Sequence, residues 1–390
     1  MELNDLLMAK DSLAAGTRPY VSSTQFDTNY AVPTGAINYT NLTKDARTYD
    51  AIVSLSGELG TFKDIQLAIN YVNSLGGGKI LIKKGRHILG TSITLYDNIY
   101  LIGEDKYISY IDFNDINYAF KAYGTVGTYK NNITIENMGL INGGAPGYGC
   151  FDLRYVNNFT MKNCYAEDVY DATEEFGSFI YISNSNQIIF ENNYLTDVDG
   201  AISISRSSKI KVSNNQIYNP SGTKVVGAIS VTDCSDATIE NNLIDSVINN
   251  APISVEDSTA VYVSQNTLVD CDYGIYVNKD SDTASCNRVE VTNNIAYSVT
   301  GTPYYFSFIY NTNNAVINGN IYNGTATNGI MSNNCDNVTF SNNVINSCGT
   351  ALSLGTGNDR NVVVGNVMNN NGTSLVNYST NGTVGLNITA

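Results

Sequence analysis

One histidine, His87, serves a chain of 390 residues, and none of its cysteines form a CxxC pair. A zinc site and a Ser-His or Cys-His nucleophile therefore both lack parts. Basic residues are few: 21 Lys and Arg stand against 36 Asp and Glu, for a net charge of -15. They form no cluster, which excludes the phosphate-neutralising footprint of a nucleic-acid binder. No segment reaches the apolar length of a membrane span, so no membrane insertion is expected. The opening MELNDLLMAKDSLAAGTRPY lacks a basic stretch leading into an apolar run. That is a poor signal peptide, and folding in a cytosol is the expectation, with release by lysis still open.

What the chain does contain points one way. Hydrophobic residues make up 43%, enough for a large core, while charged residues are only 15%. Asn, Ser, Thr, Gly and Tyr are abundant, a composition suited to short strands, frequent turns and a surface of hydroxyls and amides. Such a surface can meet glycans by stacking and hydrogen bonding. The seven cysteines, at 150, 164, 234, 271, 286, 335 and 348, fall mostly inside repeated phrases and read as small buried thiols.

The phrase that recurs is an alternating strand, then Asn or Asn-Asn, then an apolar residue. It runs from ITIENM and FTMKNC through IIFENNY, IKVSNNQI and ATIENNLI to VTFSNNVI and VVVGNVM. Its last asparagines are Asn137, Asn163, Asn193, Asn215, Asn242, Asn266, Asn294, Asn320, Asn343 and Asn366, roughly 25 residues apart. That period signals a solenoid, and the period-2 alternation makes its rungs strands. Asparagine suits the corners because it tolerates left-handed backbone, and stacked asparagines can bond from coil to coil. The expected fold is all-β: a right-handed parallel β-helix of about 10–12 coils. Nine steps at the strand-pairing distance make a rod section on the order of 43 Å. Upstream, TFKDIQLAINYVNSL places Phe62, Ile65, Leu67, Ala68, Ile69 and Val72 at near-helical spacing and stops at GGG. A short amphipathic helix there is expected to cap the apolar N-terminal end of the stack.

The stretch from YDAIVSLSGELGTFKDIQLAINYVNSLGGGKILIKKGRHILG to NIYLIGE resembles the opening of pectate-lyase-like β-helix proteins, viral tailspikes among them. The resemblance covers about residues 49–370, and its motifs specify fold and capping. For a tailspike it implies a homotrimer with carbohydrate as target. The expected division is an attachment or trimer-organising segment over 1–48, capping helix and first coils over 49–130, regular coils over 131–370 and a C-terminal end over 371–390. Other chemistries in this superfamily lack their marks. No Gly-His-Gly or Arg-Ile-Lys stretch suggests a polygalacturonase, no Arg-x-Pro-x-x-Arg run a pectate lyase, and no Gln-Asp-Thr a pectin methylesterase.

Aligning the coils predicts one outward column of Asp152, Tyr181, Ser203, Ser230, Ser254, Tyr276 and Ser353, and a second that begins with Arg154. Glycosidase carboxyls stand about 5–9.5 Å apart, one or two coils in such a stack. Asp152 and Glu256 are four coils apart and cannot pair. Asp197 and Asp199 have an echo in Asp270 and Asp272, which marks the pair as a recurring turn. The anomalous feature is the acidic turn EDVYDATEEFGS on the coil before Asp199. It makes Glu174, Glu175 and Asp199 the candidate acid/base set, with Asp152, Arg154, Tyr181 and Asp171 as candidate sugar contacts. No cofactor is expected, although calcium could bind the same carboxylates. Arg206, Asp233, Asp257 and Lys279 align just past the strand and read as a surface ion-pair ladder.

The leading expectation is a tailspike-like protein of a virion that binds a cell-surface polysaccharide, with depolymerisation left open. The alternatives are an extracellular polysaccharide lyase or hydrolase, and a non-catalytic structural or glycan-binding β-helix.

Overall fold

A computed structural model describes residues 48–56, 61–116, 118–143, 150–169, 178–198, 200–220, 227–248, 250–279, 286–297 and 304–389. The segment 1–47 lies outside the described residues. Every strand pairs with its counterpart one coil away, always parallel and in register, and three long sheets result. Sheet A runs from Ala51–Val53 through Val156–Lys162 to Thr383–Val384, and sheet B from Gly85–Ile88 through Tyr194–Val198 to Ile388–Thr389. Sheet C runs from Ile93–Thr94 through Phe151–Arg154 to Thr373–Asn377 and holds twelve strands. Coiling continues past residue 370, so the segment 371–389 forms one more turn of the stack.

Alternate residues of each strand point inward and make one continuous core. Phe151, Ile180, Ile202, Ile229 and Ile253 form a column in it, all with zero exposure. The helix Ile65–Ser74 buries Ile65, Ala68, Ile69 and Val72 against the first strands, as the spacing predicts, while Leu67 is only partly covered. Asp64 caps its N-terminus by accepting the N–H of Leu67 at 2.8 Å. Gly76, at φ +88°, turns the chain out of it, a left-handed conformation that glycine adopts without penalty.

The corner between sheets A and B separates two jobs that the repeated phrase runs together. In the Asn-Asn pairs the first residue takes the left-handed backbone: Asn192, Asn214 and Asn241 have φ of 57°, 56° and 55°. The second is buried and forms the ladder. The backbone N–H and Nδ2 of Asn215 both donate to Oδ1 of Asn242 at 3.0 Å, and Nδ2 also donates to the carbonyl of Phe190 at 3.2 Å. The pattern repeats from Asn193 through Asn242, Asn266 and Asn294 to Asn366, and Asn387 extends it. Asn137 and Asn163 depart from the expected column. Their φ values of 62° and 53° put them in the left-handed set, and Cys164 holds the ladder position, its N–H donating to Asn193 Oδ1 at 3.0 Å.

A second ladder of small polar groups lines the corner from sheet C to sheet A. There the N–H of Ser185 donates to Ser207 Oγ and the N–H of Cys234 to Ser258 Oγ, both at 3.0 Å. All seven cysteines are buried and none is in a disulfide. Burial pushes the thiols of Cys164, Cys234, Cys271 and Cys348 up to about 12. With the thiolate suppressed and the sulfurs enclosed, Ellman's reagent at about pH 8 is expected to titrate almost none of them in the native protein. All seven should respond after denaturation. One rapid equivalent in the native state would contradict this packing.

Candidate functional site

The three outer faces differ in chemistry. Sheet A carries opposite charges on successive coils, with Lys162 3.3 Å from Glu136 and Lys211 3.7 and 3.6 Å from Glu191 and Glu240. These charges answer one another along the face, and such exposed pairs contribute little each. Sheet B carries Tyr165 and Tyr194 in one column and Tyr218 beside it on the next coil, with ring centroids 5.6 and 5.3 Å apart. The column of Tyr165 and Tyr194 continues through Gln216, Leu243 and Thr267 and is then aliphatic at Ile295, Ile321, Val344 and Val367.

Sheet C presents hydroxyls and rings. Pairing places Asp152, Tyr181, Ser203, Ser230, Ser254 and Tyr276 side by side as the alignment predicts, and Phe308 and Met331 then precede Ser353. The alignment omits those two coils because YFSFIY and NGIMSN each turn a serine inward, Ser307 and Ser332. Ser307 is fully buried and bonds at 2.6 Å to the hydroxyl of Tyr322, a core tyrosine.

Turns bordering sheet C also set it apart. The A-to-B corner after Glu191 and the C-to-A corner after Ser183 each take two residues. Connections from sheet B to sheet C instead range from three residues (Val198 to Ile202) to ten (Val169 to Ile180). A regular scaffold edged by variable turns is where binding groups are commonly carried.

Among the predicted site residues, Asp152, Arg154 and Tyr181 come together on this face. Asp152 lies in the outward column yet has zero exposure. Its two oxygens accept Arg154 Nε and Nη2, each at 2.8 Å, and the hydroxyl of Tyr123 from the preceding coil at 2.7 Å. The guanidinium stands 5.4 Å from the centre of the Tyr123 ring. Its hydrogen bond to Asp152 raises the Arg154 pKa, while burial, followed by the bond to Asp152, pushes the Tyr123 hydroxyl above its ordinary range. Asp152 thus holds Arg154 in place, and the arginine, about half exposed, is the group presented outward. Tyr181 is half-buried beside them, its hydroxyl 3.4 Å from Ser205 Oγ.

Glu174, Glu175, Asp171 and Asp199 lie outside the described residues. Their described flanks do sit on neighbouring coils, since Val169 pairs with Val198 and the N–H of Phe179 donates to the carbonyl of Gly200 at 3.0 Å. Asp168, Asp197 and Asp270 have left-handed φ of 54°, 49° and 47°, so the recurring aspartates do turn the strand. The column of Arg206, Asp233 and Asp257 has the same backbone reason, with φ of 47°, 54° and 49°, and no described ion pair joins Arg206 to Asp233. His87 is a core residue, 3% exposed, with Nε2 on the Lys83 carbonyl at 2.9 Å, and burial lowers its pKa. Among the described residues no three His, Cys, Asp or Glu side chains gather as a metal site, and no helix is long and apolar enough to cross a membrane.

The sequence matches the family described as "Right handed beta helix region" over residues 70–228, 173–302 and 227–389. The chain belongs to that family. None of the curated proteins searched matches it. Among solved structures, this β-helix is similar to the catalytic unit of a GH87 alpha-1,3-glucanase from Streptomyces thermodiastaticus. The match has 12% identity and a TM-score of 0.64, covering 92% of this chain and 70% of that one. It is similar also to the A-module of the Azotobacter vinelandii mannuronan C-5 epimerase AlgE6, at 17% identity and TM-score 0.51, covering 84% of this chain and 94% of that one. The Streptococcus pneumoniae surface protein and adhesin PfbA matches at 14% identity and TM-score 0.51, covering 83% and 94%. At these identities the likeness is one of fold.

Proposed function

We propose that this β-helix binds a polysaccharide along the outer face of sheet C, in the manner of a tailspike. The observation that carries the reading is the unbroken outward column from Asp152 to Phe308. It consists mainly of hydroxyls and aromatic rings in register, bordered by turns of variable length. Rings and hydroxyls recognise the apolar faces and the hydroxyls of sugars, and a repeating face suits a repeating ligand. A glucanase, an epimerase and an adhesin among the matched folds lend support.

Depolymerisation would fall to Glu174, Glu175 and Asp199, with Arg154 and Tyr181 holding the sugar beside them. A polysaccharide panel tests this, following reducing ends and the absorbance of unsaturated products. Reducing ends alone mean hydrolysis, and both together a lyase. Activity that survives Glu174→Gln, Glu175→Gln and Asp199→Asn together removes these residues from the mechanism. A second reading is glycan binding without cleavage, favoured because the one carboxylate in the column from Asp152 to Phe308, Asp152 itself, is tied to Arg154 and Tyr123. It predicts retention of a glycan with no new reducing ends. The tailspike reading also calls for a homotrimer on a virion, and the aliphatic column of sheet B, with Ile295 and Ile321 exposed, offers a face for association. A solution mass of three chains supports that, and a monomer at all concentrations overturns it.

A further inference from the structure

Toward the C-terminal half of sheet C, six aromatic rings collect on two adjacent coils. Tyr305 is at the centre, 7% exposed, with ring centroids of Phe308, Tyr273, Tyr304 and Tyr276 at 5.2, 5.5, 6.1 and 6.5 Å. Phe308 also stacks on Tyr310 at 5.7 Å. None of these rings is needed to fill the solenoid, whose core on the same coils is closed by Ile275, Val277, Phe306 and Ile309. Gly274 lets the two coils approach: a Cβ there would stand 1.9 Å from the carbonyl oxygen of Phe306. On sheet B the three tyrosines Tyr165, Tyr194 and Tyr218 come one to a coil. Here the rings spread across two columns and two coils and make a surface wider than one ring. Tyr304 remains 52% exposed and Tyr310 36%. An exposed aromatic patch of this kind marks a contact surface, and tyrosine supplies an apolar body with a polar tip.

Charge selects the occupant. Glu256 stands in the column that leads through Asn278 to Tyr310, and the carbonyl of Asp272 accepts the N–H of Tyr304 at 3.3 Å. Lys279, which follows Asn278, is the cation on this stretch of chain. The surroundings are acidic on balance, and so is the whole chain. A uronate polymer would bring carboxylates against carboxylates, whereas a neutral pyranose offers C–H faces to the rings and hydroxyls to Glu256 and to the exposed phenols of Tyr304 and Tyr310.

We infer that these six rings form a subsite for neutral pyranose units, about six coils, or roughly 29 Å, from Arg154. The inference rests on the polysaccharide reading of sheet C and adds to it the place and the sugar class.

The test uses the full chain and titrates neutral glucans, galactans and mannans alongside polygalacturonate and alginate. A neutral polymer is expected to bind and the polyuronates to fail at low salt. Tyr304→Ala with Tyr310→Ala should weaken binding at least about tenfold, the effect of removing central aromatic anchors. Tyr304→Phe should stay within about twofold, and unchanged melting of the exposed-site variants confirms that the fold is intact. Stronger binding of a polyuronate, or of no neutral polymer, overturns the inference. So does a double alanine variant that binds like wild type, or one whose only change is a smaller solution mass, which would assign the patch to a second copy. Ser203→Arg, placed four coils away in the same column, separates the two readings. If it blocks binding while the tyrosine variants do not, sheet C binds glycan without this subsite. If neither matters, the reading of sheet C fails as well.

Discussion

Asn266→Ala is expected to accelerate exchange of the Asn242 backbone N–H on the order of a thousandfold, and to destabilise the central coils by about 4 kcal/mol. The Asn266 Oδ1 accepts both the backbone N–H and the Nδ2 of Asn242, at 3.0 and 2.9 Å. Its Nδ2 donates to the carbonyl of Ile239 and to Asn294 Oδ1, at 2.9 and 3.0 Å. All three asparagines are almost completely buried, so water cannot replace what is lost. Each buried polar group left unmatched costs about 1–3 kcal/mol, and truncation strands several at once. Asn266→Asp is the stricter test. It keeps the shape and the acceptor but replaces a donor with an oxygen that faces two oxygens, so it should be at least as damaging as alanine. Gln265, the preceding residue, has φ 57°. Gln265→Gly is expected within about 1 kcal/mol of wild type, because glycine adopts that backbone freely. Equal costs at 265 and 266 would refute the division of labour between the two positions.

Arg154→Ala should cost about 3 kcal/mol, more than Asp152→Asn at about 1 kcal/mol, although the arginine is the more exposed partner. The asymmetry follows from burial. Without Arg154, the enclosed carboxylate of Asp152 keeps only the Tyr123 hydroxyl. Without the carboxylate, the half-exposed guanidinium turns to water. The double variant should recover part of the loss, since no unpaired charge stays buried. Urea unfolding of the four species of this cycle gives the coupling directly. Costs that simply add, or a costlier Asp152→Asn, would mean that the carboxylate is not held as described.

Much of the architecture was legible because a β-strand repeats its side-chain direction every two residues and a solenoid repeats its path every coil. Both periods are present in phrases such as ATIENNLI, and the outward column from Asp152 to Tyr276 follows from them by alignment. The cap was legible too, because Ile65, Ala68, Ile69 and Val72 share one helical face before GGG. Two coils were lost from the alignment where Ser307 and Ser332 turn inward and bond to Tyr322 and Asn358 inside the core, which breaks the apolar rule that alignment depends on. The ring cluster went unread for a related reason. Tyr273, Tyr276 and Tyr304 to Tyr310 are ordinary tyrosine-rich segments until the coils are stacked.

By itself, then, the sequence determined the parallel coil, its period, its cap and which residues point outward, because these depend on local spacing along one strand. Tertiary structure alone decided which of two adjacent asparagines is sealed in the ladder. It also decided that outward-pointing Asp152 is enclosed by Tyr123 and Arg154, and that separate tyrosines meet as one surface. Those outcomes depend on what the next coil lays over each side chain, and that neighbour lies some 20 to 30 residues away along the chain.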